Sequence, residues 1–538
     1  MNKNFSRQFA KGKTMRLRVG AVMMSGMLLI GCANNNSINT QEASSEESQI
    51  AVVQEQTAVE STQEQNTPDE VATMIASDKV PKYVFLFIGD GMGYPQVQSA
   101  AYYLGAQPNG EIVSGDLSFM SFPIAGSAKT YDSTSFAPDS ASTATSIATG
   151  NKAHSGTINM DTTLTTSFET IAEKLKKQKD YKVGIVTTVN LNHATPAAFY
   201  AHQPTRANYY EISEELIASE FDYFAGGALL SPTGKEDDQK DIYEVAKEAG
   251  YTVVREDAKA GALTKEDGKA IVISEKLADG DAMAYQLDNQ ETDVVLADYV
   301  KQGIEMLDND NGFFMMVEGG KVDWACHAND AASSIHDTIA FSEAVDEAIA
   351  FYHEHPEDTL ILVTADHETG GMSIGYAGLD YDTYLKNLEN QKISYALFDT
   401  EYTANYIEEK TSFEDVLKDV EELFGLKANG DEPEDGTLAM SDYEYKLLEN
   451  AYERTLEIGA SSKDEMSQEE YLLYGTYQPL TVTITHILNN KSGISFTSYA
   501  HTGLPVPVFA QGIGQEKFNG FYDNTDIYKR MADIVGVN

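Results

Sequence analysis

Cysteine is almost missing from these 538 residues: only Cys32 and Cys326 occur. At most one disulfide can form, and the sequence around Cys32 argues against even that one. Basic residues are scarce as well, 38 against 84 acidic ones, which leaves a formal charge of −46. Such a surface repels polyanions and excludes nucleic-acid binding that works by neutralising phosphates. No internal repeat and no glycine fingerprint for a nucleotide is present. No apolar run reaches the ~20 residues that a membrane-spanning helix needs. Apolar and aromatic residues are not lacking: with 42% hydrophobic residues, 30 Tyr and 22 Phe, the chain can bury a large core. Length alone allows one large domain or two to three smaller ones.

The amino terminus carries Lys3, Arg7, Lys11, Lys13, Arg16 and Arg18, then the apolar stretch Val19–Ile30 and the tetrad Leu29-Ile30-Gly31-Cys32. This resembles a secretory signal of the bacterial lipoprotein kind, residues 1–31, with cleavage before Cys32 and acylation of its thiol. The expectation is an exported protein, lipid-anchored through Cys32 to the membrane at the bacterial cell envelope, periplasmic or outer surface. Residues 33–75 contain no aromatic residue and are dominated by Asn, Ser, Thr, Gln and Glu. Such a composition cannot order itself by burial, so residues 32–78 read as a flexible tether.

The globular part, 79–538, opens with Tyr83–Ile88, a continuous apolar run expected of a strand buried on both faces. Val183–Thr188, Phe313–Val317, Thr359–Thr364 and Val506–Ala510 read the same way. Helical patterns at Phe168–Lys177, Val294–Leu307 and Ile335–Tyr352 lie between them. The alternation predicts an α/β fold, a mostly parallel central sheet flanked by helices on both faces. From about 375 to 490 the pattern changes to acidic amphipathic stretches, Phe413–Leu423 and Tyr443–Leu456, which predict a helical insertion between the last two strands.

In parallel sheets functional groups gather beyond the carboxyl ends of the strands. Asp90 follows the first strand, Glu318 ends the Phe313–Val317 run, and Asp366-His367 follows Thr359–Ala365. One such Asp is usually a turn or cap residue. Several at equivalent strand ends are not. Asp323 and His327 stand four apart, on one face if the segment is helical. With Asp366, His367 and His501 they form a mixed imidazole and carboxylate set suited to zinc, while purely oxygen donors suit magnesium. In Pro138-Asp139-Ser140-Ala141 the bland reading is a helix N-cap. The same geometry points unpaired backbone amides at a serine, which favours a bound phosphate.

These residues resemble one family. Phe87-Ile88-Gly89-Asp90-Gly91-Met92-Gly93, Asp139-Ser140-Ala141, His193-Ala194-Thr195-Pro196 with Arg206 downstream, Val317-Glu318-Gly319-Gly320-Lys321-Val322-Asp323, Thr364-Ala365-Asp366-His367 and His501-Thr502-Gly503 are similar, in order, to the motif set of alkaline phosphatases. The resemblance implies phosphomonoester hydrolysis through a phosphoserine on Ser140, with two zinc ions and one magnesium ion per subunit. It implies Asp323, His327 and His501 at the first zinc, and Asp90, Asp366, His367 and the Ser140 oxygen at the second. Asp90, Thr195 and Glu318 would hold the magnesium, Arg206 would grip the phosphate, and the chain would form a homodimer. Thr195 and Arg206 come from the resemblance alone. His193 stands where some members carry Asp and Trp324 where others carry Lys or His, so both are expected to act on substrate binding and metal preference. A phosphodiesterase or sulfatase on the same scaffold would share Asp90 and Asp366-His367 but lack Asp139-Ser140-Ala141 with Arg206. A non-catalytic surface lipoprotein would not need every reactive position filled.

Overall fold

A computed structural model describes residues 79–106, 112–113, 115–428, 436–459 and 466–538. Cys32 and the tether lie outside the described residues. The strands in chain order are β1 (Tyr83–Gly89), β2 (Ile124–Lys129), β3 (Lys182–Asn190), β4 (Tyr223–Gly227), β5 (Thr252–Val254), β6 (Ala270–Ile273), β7 (Phe313–Gly319), β8 (Thr359–Ala365), β9 (Glu368–Thr369), β10 (Ser373–Ile374), β11 (Ile494–Ser495), β12 (His501–Thr502), β13 (Val506–Gly512) and β14 (Gly520–Asp523). Ten of them form one sheet in the order β14-β2-β13-β8-β1-β7-β3-β4-β6-β5.

β1 lies at the centre, parallel to β7 on one side and β8 on the other, and all three strands are wholly buried. That is why they read as unbroken apolar runs rather than alternating ones. Two groups of helices flank the sheet. Tyr94–Gly105, Leu296–Leu307 and Ala331–Glu354 pack together, and so do Ser140–Thr149, Ala194–Ala197 and Thr525–Val535. β13 runs antiparallel to both its neighbours, β8 and β2.

The insertion differs from the expected placement. It does not lie between the last two strands of the sheet, because β13 and β14 both follow it. A two-residue ribbon, β10 with β11, closes its neck by pairing Ser373 with Ser495 and Ile374 with Ile494. Between them run helices including Phe413–Phe424, Asp442–Ile458, Gln468–Tyr474 and Pro479–Ser492, whose inner faces bury Val416, Val420, Phe424, Leu448, Leu480 and Ile484. A second ribbon, β9 with β12, pairs Thr369 with His501 and Glu368 with Thr502. This ribbon carries a residue from beyond the insertion back to the end of β8. Among the described residues no helix is long and apolar enough to cross a membrane.

Candidate active site

The register of the central strands sets the site. Gly89 of β1 pairs with Gly319 of β7 and Ala365 of β8, so the chains leave the sheet side by side and bring Asp90 and Asp366 together. Gly91 has φ 71° and passes so close to Asp323 that an added Cβ would lie 2.9 Å from its Cα. Its backbone N–H donates to Asp366 Oδ1 at 3.2 Å. β3 pairs with β7 so that Thr187 lies beside Glu318, and the Thr187 hydroxyl donates to Glu318 Oε2 at 2.5 Å. Asp323 and His327 lie on the short helix Lys321–His327 that follows β7, as their spacing predicts.

Three imidazoles converge, and their outer nitrogens fix their tautomers. His327 Nδ1 donates to the Tyr499 carbonyl at 2.7 Å and His501 Nδ1 to the Pro138 carbonyl at 2.5 Å. Thr369 donates to Asp323 Oδ1 at 2.5 Å, so its oxygen receives the His367 Nδ1–H at 3.2 Å. In its neutral form each ring therefore turns an unprotonated Nε2 inward. The Nε2 atoms of His327 and His501 face one another at 3.0 Å, with the Asp323 oxygens at 3.4 and 3.6 Å. His367 Nε2 lies 3.3 Å from both Asp90 Oδ1 and Asp366 Oδ2 and 3.1 Å from Ser140 Oγ. Lone pairs aimed at lone pairs and carboxylates are repulsive unless a cation lies among them. Asp323, His367 and His501 form one group that could hold a metal, and Asp90, Asp366 and His367 another.

The charge balance points the same way. Burial, then the charge of Asp323, pushes Asp366 up to about 8. Asp90 is raised by burial and by Asp366, and Glu318 by burial and by Asp90. Burial also lowers His367 to about 4 and His501 to about 3, so the rings stay neutral. Asp90 Oδ1 and Glu318 Oε1 are buried without a hydrogen-bond partner. Thr195 donates to the other Asp90 oxygen at 3.2 Å.

Ser140 is the first residue of the helix Ser140–Thr149, which Asp139 caps by accepting from the Ser142 N–H at 3.1 Å. The hydroxyl thus sits at the positive end of a helix whose first amides are free. Arg206 approaches from the side. Its guanidinium donates to Asp139 Oδ2 and to His193 Nε2, each at 3.1 Å. Trp324 meets the His193 ring edge-on at 5.8 Å.

Sequence reasoning passed over several supports. Thr369 and Thr143 hold the carboxylates of Asp323 and Asp366, the latter at 3.2 Å. Thr143 is three residues after Ser140 and Thr369 two after His367, a proximity that could have flagged them. The carbonyls of Pro138 and Tyr499 that orient two imidazoles leave no trace in residue type. Lys321 was equally silent: its side chain is fully buried, with Nζ 3.9 Å from the Tyr285 ring and 4.4 Å from the Trp324 ring.

Neutral imidazoles, crowded carboxylates and a serine at a helix end, all at the carboxyl edge of a parallel sheet, belong to a metal-dependent hydrolase. Comparison with known proteins narrows the class. The family model "Alkaline phosphatase" matches residues 81–537. Alkaline phosphatase 4 of Bacillus subtilis is 30% identical over 468 residues, covering 85% of this chain and 89% of that protein. The cold-active alkaline phosphatase of Shewanella sp. superposes with a TM-score of 0.67 at 27% identity, covering 84% of this chain and 99% of its own. A histidine-to-glutamate mutant of the alkaline phosphatase from the Antarctic bacterium TAB5, described with Mg bound in the M3 site, gives a TM-score of 0.57 at 26% identity, covering 86% and 99%. The chain belongs to the alkaline phosphatase family.

Proposed function

We propose that this hydrolase cleaves phosphate monoesters through a phosphoserine on Ser140, using two zinc ions and one magnesium ion per subunit. The observation that carries the reading is Ser140 Oγ at a helix N-terminus, 3.1 Å from His367 Nε2. The donors suit the metals. Asp323, His327 and His501 offer one carboxylate and two imidazole lone pairs to a first zinc. Asp90, Asp366 and His367, with the Ser140 oxygen, do the same for a second. Asp90, Thr195 and Glu318 are oxygen donors, as magnesium prefers, and two of their oxygens lack partners. When bound, these cations supply the positive charge that stabilises the serine alkoxide, the transferring phosphoryl group and the departing alcohol oxygen.

The residues of the chain do the positioning. Ser140 Oγ attacks phosphorus as the bond to the alcohol oxygen breaks, and a phosphoserine remains. Arg206 turns from Asp139 and His193 to two phosphate oxygens, a bidentate grip that only guanidinium geometry offers. Water then attacks the phosphoserine from the opposite side, its P–O bond to Ser140 breaks, and inorganic phosphate leaves. His193 adjoins the magnesium donors at Thr195 and brings no oxygen. In the TAB5 enzyme a carboxylate in place of a histidine accompanies Mg in the M3 site. That supports a weak third site here, one at which zinc competes. We further propose lipid anchoring at Cys32 on the exported face of the cell envelope and assembly as a homodimer, the first from the Leu29–Cys32 tetrad and the second from the family resemblance.

Acid quenching of the holoenzyme during turnover of a chromogenic phosphomonoester tests the core of this. Phosphate is expected on Ser140, with diesters and sulfate esters turned over far more slowly. Phosphate on another residue, or active enzyme with no covalent phosphate, rejects the mechanism. Ser140→Ala should lose several orders of magnitude in turnover while retaining zinc.

A further inference from the structure

The insertion lines an open cavity of about 390 Å³ outside the catalytic centre. Leu379, Leu447, Leu473, Tyr474 and Ile487 give it apolar walls, and His486 lies among them. The His486 ring is committed on one side only. Asn329 Nδ2 donates to the carbonyls of Cys326 and Ser498, each at 2.9 Å, which leaves Asn329 Oδ1 as an acceptor. His486 Nε2, 3.1 Å from that oxygen, must therefore carry the proton. Nδ1 is left as a bare lone pair with no hydrogen-bond partner among the described residues, on a ring that lines the cavity. Burial lowers His486 to about 4, so the ring stays neutral and this nitrogen only accepts. The Lys491–Glu444 ion pair, 3.0 Å apart, also borders the cavity, and its two charges neutralise each other.

We infer that this cavity is a binding site for a small neutral ligand with an apolar body and one hydroxyl, an alcohol or phenol, which donates to His486 Nδ1. The site is wired to the catalytic centre. Asn329 ties the end of the Lys321–His327 helix to the Ser498 segment, and Asn489 holds the Asn329 carbonyl at 2.7 Å. The Tyr499 ring lies 6.0 Å from the His486 ring, and the Tyr499 carbonyl orients His327. A ligand that fills the cavity braces the clamp joining His327 to His501 and slows zinc loss from that pair. This second half rests on the zinc assignment proposed above; the binding itself does not.

The test uses holoenzyme saturated with inorganic phosphate, so that the catalytic centre is blocked. 4-Methylphenol is titrated by equilibrium dialysis, with 4-methylanisole, which cannot donate, as control. One site per chain is expected, with 4-methylphenol bound about 3- to 10-fold tighter than the anisole, the worth of one neutral hydrogen bond. Leu447→Trp, which fills the cavity from a half-buried helix position, should abolish binding of both, and His486→Phe should remove the preference. Absence of saturable binding, or equal binding by Leu447→Trp, overturns the site. Release of zinc to a chelator should slow on adding 4-methylphenol to wild type but not to Leu447→Trp. Unchanged release despite binding overturns the coupling alone.

Discussion

Replacing His193 by Asp tests how the proposed third site is tuned. His193 N-caps the short helix Ala194–Ala197 that presents Thr195, and burial, helped by the charge of Arg206, lowers it to about 3. The wild-type ring is thus a neutral acceptor, with Nε2 used by Arg206 and Nδ1 buried without a partner. Aspartate adds a full negative charge two residues from Thr195 and oxygens for the waters that magnesium retains. At about 5 Å and an effective dielectric near 20, one unit charge pair is worth about 3 kcal/mol. Water kept by the ion screens much of this, and about 1–2 kcal/mol should remain, or about 5- to 30-fold in the magnesium concentration for half-activation. The assay is magnesium titration of zinc-loaded wild type and His193→Asp. Wild type should be activated by magnesium and inhibited by excess zinc, and the variant should need much less magnesium and resist zinc. Coincident activation curves would refute the argument and reduce His193 to a packing residue beside Trp324.

Arg206→Ala should raise the phosphate inhibition constant about 10- to 100-fold, the loss of charge-assisted hydrogen bonds, with a smaller fall in turnover; an unchanged constant rejects the phosphate grip. Metal-stripped protein should lose thermal stability as pH rises from about 7 to about 8. Asp366, raised to about 8, keeps its proton when folded and has lost it when unfolded, so each step up in pH favours unfolding, whereas His367 and His501 are lowered from 6.5 and are mostly neutral in both states over that window. Calorimetry of chelated protein checks this, and a melting temperature that rises over the window contradicts it. Cys32→Ser should free the protein from the membrane fraction or leave unprocessed precursor, and a processed, membrane-bound variant would exclude the lipid anchor.

The centre of the fold was legible because β1, β3, β7 and β8 are buried on both faces and so spell themselves as apolar runs. β2, Ile-Ala-Gly-Ser-Ala-Lys, has one β-branched residue and was silent, and β4, β5 and β6 are only five, three and four residues long, too short to stand out as apolar runs even though β4 and β6 are wholly buried. The antiparallel course of β13 cannot be read from Val506–Ala510, because direction depends on the connection and not on the strand. Within the site, Asp90, Glu318 and Asp366 could be found because strand ends predict where side chains gather, and Asp323 with His327 because a spacing of four is a helical signature. His501 had no such context: only its pairing with Thr369 brings it to the others. Arg206 needed the motif resemblance, since nothing local marks an arginine in a turn as reaching Asp139, 67 residues earlier.

That pairing governs the order in which the site can be completed. A ribosome has already delivered Asp90, Ser140, Asp323, His327, Asp366 and His367 when it reaches residue 367, yet His501 must wait for the whole insertion. Until β12 docks on β9, the proposed first zinc site lacks a ligand and the Pro138 carbonyl beside Ser140 lacks its imidazole partner. The same dependence makes chain completion a checkpoint: a product cut short anywhere between 375 and 500 contains Asp90, Asp366 and His367 but lacks His501 and the β13 strand that flanks β8.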